Sequence, residues 1–165
     1  MNESDIPIAP PEVVEAFTSA ALTALRELTQ IEAFADHPPR DAAERSENMV
    51  SAALRLLRPV PGTLLFVLTA PVAERLAARY LPPDTELTDE MIGDVVGEFA
   101  NVIAGQAKTI LKGTLYHFSM STPVVTRAAS LAQLPGARQT QLITALDSEL
   151  GQLLLLVDLP PCPHA

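Results

Sequence analysis

Two short runs, Leu64-Leu65-Phe66-Val67-Leu68 and Leu153-Leu154-Leu155-Leu156-Val157, contain no polar residue. A strand with one wet face alternates apolar and polar side chains, so a run without alternation has to be covered on both faces. Each run is far shorter than the roughly 20 apolar residues of a membrane-spanning helix. Both therefore read as strands inside a folded domain.

Turn residues show how these strands are connected. Met49 to Leu57 and Thr63 to Thr69 flank Arg58-Pro59-Val60-Pro61-Gly62, which predicts a β-hairpin. Gln139 to Leu146 and Gln152 to Asp158 flank Asp147-Ser148-Glu149-Leu150-Gly151, a second hairpin. Between Gly113 and the second hairpin, Thr114 to Ser121 reads as a strand. Val124-Val125 extends the chain along an edge, and Ala128 to Leu134 fits neither pattern.

Helical periodicity marks three other segments. From Pro11 to about Ile31, Val14, Phe17, Ala21, Ala24, Leu28 and Ile31 form one apolar stripe, and Pro11 suits a first helical turn. His37-Pro38-Pro39-Arg40 breaks the pattern, and Asp41 to Glu47 is a loop or a short helix. Ala70 to Tyr80 is a short helix ended by Pro82-Pro83. Thr88-Asp89-Glu90 opens a long one, with a capping hydroxyl and two acids in the first turn; it runs to about Lys112, with Gly113 as its stop. A long helix followed by a hairpin occurs twice, without a residue-level repeat.

This order predicts an α/β protein of the α+β kind: a single domain, with a largely antiparallel sheet built from hairpins and long helices packed on one face. The domain should span 11–159, between a disordered N-terminal tail (1–10) and a C-terminal tail (160–165). Aromatic residues make up only 4% of the chain, so Leu, Val, Ile and Ala must fill the core. A net charge of −9 repels phosphate backbones and anionic lipids, which argues against nucleic-acid and membrane-surface partners. One cysteine, Cys162, cannot form an internal disulfide, and the N-terminus has no signal-peptide pattern; both suit the cytoplasm.

The helix from Asp89 to Lys112 is the most informative part of the chain. At about 100° per residue, Ile92, Val95, Val96, Phe99, Val102, Ile103 and Ile110 gather on one side. Asp94, Glu98, Asn101, Gly105, Lys108 and Lys112 form a polar line within an arc of about 80° on the other. Any amphipathic helix has a polar face, so the line alone reads first as a solvated surface. Asn is nonetheless a poor mid-helix choice, and Gly93, Gly97 and Gly105 each cost about 1 kcal/mol against Ala. Gly97 and Gly105 would let something approach the helix closely. That suits a docking surface, and close packing inside the protein would explain them too.

The string from Asp94 through Glu98, Asn101 and Gly105 to Lys108 resembles the signature helix of the CheX and CheC chemotaxis phosphatases, and it resembles CheX most. That pattern is an Asp or Ser, three residues, Glu, two residues, Asn, then a proline about two dozen residues on; Pro123 stands 22 positions after Asn101. Phe118 to Pro123 is similar to the family's strand before that proline, and Val60 to Leu65 to its hairpin before the short helix.

The resemblance implies a phosphatase acting on the phospho-aspartate of a CheY-like receiver domain. Glu98 would pair with the receiver's active-site lysine, and Asn101 would hold the attacking water in line with phosphorus. Asp94, Gly97, Gly105, Lys108 and Pro123 would line the partner-binding surface. Mg²⁺ would belong to the receiver, so no cofactor or metal is expected here; His37, His117 and His164 have no ligand spacing. CheC-type relatives carry the Glu-Asn pair on both long helices, but here Thr18 stands three residues after Glu15, so one site per chain is expected. The CheX resemblance also implies a homodimer through sheet edges.

Other chemistry is poorly supported. Cys162 lies between prolines in the tail, and Ser119, Ser121 and His117 make no triad by sequence proximity alone. Two further functional classes remain open at this level. One is a binding or adaptor module of the same fold in two-component or flagellar signalling that retains the helix without turnover. The other is an unrelated α/β protein whose polar helix face is merely solvated.

Overall fold

A computed structural model describes residues 9–36 and 47–162. In chain order the elements are α1 (Pro11–Thr29), β1 (Ala33–Asp36), β2 (Met49–Leu57), β3 (Gly62–Thr69), α2 (Ala70–Tyr80), α3 (Asp89–Ile110), β4 (Ser119–Met120), β5 (Val124–Ala128), a 3₁₀ turn at Leu131–Gln133, β6 (Gln141–Ser148) and β7 (Gly151–Asp158). The sheet has seven strands in the order β1-β6-β7-β3-β2-β4, with β5 also on β2, and every pairing is antiparallel. The two expected hairpins are β2–β3 and β6–β7, and they join through β3 and β7 at the middle of the sheet.

The unalternating strands are covered on both faces. Leu64, Phe66 and Leu68 of β3, with Leu153, Leu155 and Val157 of β7, enter the core under the helices. Leu65, Val67, Leu154 and Leu156 face the other way and form a second cluster with Leu131 and Leu134. The helices thus lie on one face, and the segment through the 3₁₀ turn covers part of the other. That segment fitted neither pattern in the sequence because its two buried leucines are three apart in a short turn.

Differences from the sequence reading lie at ends and edges. α1 stops at Thr29 instead of running on to Ile31, and Gln30 closes it in the left-handed conformation at φ 60°. Four residues later β1 begins, a strand absent from the sequence reading; it pairs with β6 from Ala33 opposite Ser148 to Asp36 opposite Ala145. α3 ends at Ile110. The strand expected over Thr114 to Ser121 shrinks to Ser119–Met120. Gly113 sits at φ +84°, and Thr114 closes two turns: its N–H reaches the Leu111 carbonyl at 3.1 Å, and its Oγ1 accepts from Tyr116 N–H at 3.1 Å. Phe118 ends this looped stretch, buried and stacked on Phe17 with centroids 5.9 Å apart.

The C-terminal stretch through Cys162 is tied down. Arg58 donates to the Pro160 carbonyl and, through Nε at 3.0 Å, to Cys162 Sγ, while Cys162 N–H reaches the Leu115 carbonyl. The expected break at His37 to Arg40, the Asp41–Glu47 segment apart from Glu47 itself, and the N-terminal tail up to Ile8 lie outside the described residues. Among the described residues no helix is long and apolar enough to cross a membrane.

Gly62 opens β3 hard against the end of β7. A Cβ there would lie 2.6 Å from the Asp158 carbonyl oxygen and 3.3 Å from Leu56 Cβ. Backbone cannot move aside as a side-chain tip can. Gly62→Ala should therefore cost about 1–3 kcal/mol by overpacking, visible as a lower urea midpoint at unchanged m-value.

Candidate functional site

α3 is fixed at its start by capping. Thr88 Oγ1 accepts from Met91 N–H at 3.2 Å, and Asp89 and Glu90 place negative charge at the positive end of the helix. Its inner face buries Ile92, Val95, Val96, Phe99 and Ile103. Phe99 meets Tyr80 of α2 edge-to-face, with centroids 5.6 Å apart. Burial of these side chains is worth about 1.5–3 kcal/mol each, which outweighs the roughly 1 kcal/mol lost at each of three helical glycines.

On the outer face Asp94, Glu98 and Asn101 are all exposed. Among the described residues, no hydrogen bond or ion pair engages the Glu98 or Asn101 side chain. Glu98 and Asn101 are neighbours one turn apart by their spacing of three. Gly105 continues the line, and a Cβ built there would meet nothing within 4 Å. Lys108, half-buried, completes it.

Pro123 reaches the same region from another element. β5 lies along β2 and passes close to α3, where a Cβ on Gly97 would sit 3.5 Å from both Pro123 and Val125, and one on Gly93 would sit 3.3 Å from Val125. Gly97 is buried. The close approach it permits is therefore made by the chain's own β5, while Gly105 alone of the two leaves the helix surface open. Arg127, two residues along β5 from Val125, donates to the Asp89 carbonyl at 3.0 Å and lies 3.9 Å from the Asp89 carboxylate.

Close packing inside the protein, one of the two explanations open for the helical glycines, holds at Gly93 and Gly97, and Val125 and Arg127, which nothing in the sequence singled out for the site, supply part of that support. The i, i+4 spacing of Gly93 and Gly97 marks one smooth flank of the helix, but the spacing does not say what fills it.

The line is convex. Grooves open elsewhere, among them one of about 570 Å³ lined by Pro10, Tyr116, Arg138 and Pro160. Small-molecule sites are concave, whereas a projecting row of unpaired polar side chains suits insertion into another protein. Among the described residues no group of three or more His, Cys, Asp and Glu could hold a metal ion.

The fold is that of CheX and CheC-like chemotaxis proteins. CheX from Vibrio vulnificus superposes with a TM-score of 0.71 at 19% identity, covering 92% of this chain and 98% of that one. CheX from Desulfovibrio desulfuricans gives 0.68 at 20%, covering 90% and 99%. A CheX–CheY–BeF3–Mg²⁺ complex from Borrelia burgdorferi gives 0.65 at 17%, covering 88% and 96%. No curated protein sequence matches. The family model described as chemotaxis phosphatase CheX matches residues 50–145, more than half of the chain. The chain belongs to the CheX family.

Gly105, on the line, and Gly97, buried beside it, should respond oppositely to substitution. Gly105→Ala meets open space and removes helix-interior glycine entropy, so it should raise stability by about 0.5–1 kcal/mol. Gly97→Val should lower it by about 1–3 kcal/mol by pushing β5 off the helix. Chemical denaturation of both variants checks the sign of each.

Proposed function

We propose that this chain dephosphorylates the phospho-aspartate of a CheY-like receiver domain. The observation that carries the reading is the pair Glu98 and Asn101, exposed and without a partner among the described residues, on a capped, well-packed helix in a chain of the CheX family.

Glu98 pairs with a lysine beside the receiver's acyl phosphate and seats α3 over it. A carboxylate–ammonium contact shielded from water by the docked surfaces is stronger than the same pair in bulk solvent. Asn101 then enters the site and holds a water opposite the aspartate oxygen that leaves. Its carbonyl oxygen accepts a proton-bearing O–H from that water, and its amide N–H donates. The water oxygen bonds to phosphorus as the bond to the aspartate oxygen breaks, giving inorganic phosphate and a free carboxylate. The loose character of phosphoryl transfer demands little proton removal early, so an amide that positions can do without a strong base. Mg²⁺ is supplied by the receiver and neutralises the phosphoryl oxygens there.

Asp94, Gly105 and Pro123 flank the pair and belong to the docking surface, with Gly97 acting through Pro123. A cytoplasmic location and a homodimer through the sheet margins belong to the same reading. The margins at β1 and β5 carry large exposed side chains: Phe34 is 75% exposed and Val124 63%.

Phosphate release from phosphorylated receivers tests this. The parent chain should speed decay, and Asn101→Ala should lower that acceleration by about 10²-fold, the scale of losing a positioned reactant, while still binding. Glu98→Lys should weaken binding at unchanged stability, because it sets two cations together. A parent that binds receivers but leaves their decay at the spontaneous rate would establish an adaptor instead.

A further inference from the structure

The chain has only two lysines, Lys108 and Lys112, and both lie at the C-terminal end of the exposed line of α3 or in the turn that closes it. The chain as a whole carries a net charge of −9. Among the described residues neither lysine has an acidic partner within ion-pair distance. Arg127, at the start of α3, is already engaged by Asp89.

The negative end of a helix favours cations at any point on its circumference, so the dipole alone does not choose a side. The side is chosen here: Lys108 falls within about 20° of Asn101 on an ideal helix. The flank bearing Ile110 lies about 160° away, across a groove from Glu12 and Glu15 of α1. That flank would have paired a lysine within the chain, and its residues Val102, Gln106 and Ile110 are uncharged. The exposed line is thus dipolar, with Glu90, Asp94 and Glu98 before Asn101 and two unpaired lysines after it.

Resting on the receiver-phosphatase reading, we infer that this dipolar line sets the direction in which the receiver lies along α3. Lys108, about 10 Å along the helix from Asn101 at 1.5 Å rise per residue, and Lys112, in the turn just past the helix end, face acidic side chains on the receiver. The acidic half of the line faces the receiver's cations. A receiver docked the opposite way round would set like charges together, so the line selects one orientation and draws the partner in from a distance.

Stopped-flow association with a receiver loaded with beryllofluoride and Mg²⁺ tests this. The variant carrying Lys108→Glu and Lys112→Glu should associate about tenfold more slowly at low salt, with the gap closing as ionic strength rises. The variant carrying Lys108→Arg and Lys112→Arg, which keeps both charges, should match the parent. If the glutamate variant associates at the parent rate with the parent's salt dependence, while the parent shows turnover that depends on Asn101, this inference fails and the phosphatase reading stands. A parent that neither binds receivers nor speeds their decay overturns both.

Discussion

The rotation of α3 about its own axis decides where Asn101 points, and the passage of β5 against Gly93 and Gly97 fixes that rotation. Ile92, Val95, Val96, Phe99 and Ile103 pull one face of the helix into the core. Hydrophobic burial is non-directional, so alone it would tolerate a helix turned by some tens of degrees. Pro123 and Val125, lying within 3.5 Å of where Cβ atoms on the two glycines would stand, remove that freedom. Arg127 adds a polar tie at the start of the helix. With its flank closed by β5, α3 presents Asp94, Glu98 and Asn101 outward.

This support lies across the sheet as well as along the helix. β5 is held by β2, with Val125 opposite Ala52 and Val124 opposite Ala53, and β2 is held by β3. The glycines of α3 thus lock the functional line to the rigid middle of the sheet. Asn101 stands one turn beyond Gly97 on the same helix, so a shift of β5 would be felt first where Pro123 touches that turn.

Much of this was legible from residue patterns, and the rest was hidden for physical reasons. The unalternating runs announced a sheet covered on both faces, and Thr88 with its following acids marked the start of α3 to the residue. The polar line from Asp94 to Lys108 followed from the 3.6-residue repeat, and all of it except Gly105 carries polar side chains that report their own exposure. The role of Gly97 was not legible, because a glycine carries no side chain to say whether another molecule or the chain's own strand fills its space. β1 was missed because Ala33 to Asp36 is too short for a period and draws its stability from pairing with β6, which is distant in sequence. The strand expected after Gly113 was overstated because Thr114, a good strand residue, closes turns with both its backbone and its hydroxyl.

A site on the exposed face of a helix, with no metal cluster among the described residues, divides the chemistry in a particular way. The electrostatic work of phosphoryl transfer is neutralising the equatorial oxygens, and the Glu98 carboxylate and Asp94 carboxylate that stand beside Asn101 do not supply it. The face instead offers the carboxylates of Asp94 and Glu98, the Asn101 amide and, further on, the ammonium groups of Lys108 and Lys112, none with an ion-pair partner among the described residues. Groups that make no bonds within the chain lose none when a partner binds, so a docked protein gains their full interaction less the water they held. Under this reading the receiver brings the metal and the reacting phosphoryl group, and this chain brings geometry. A helix is suited to that role because its backbone is already ordered, and only the side-chain freedom of Glu98 and Asn101 remains to be lost on docking.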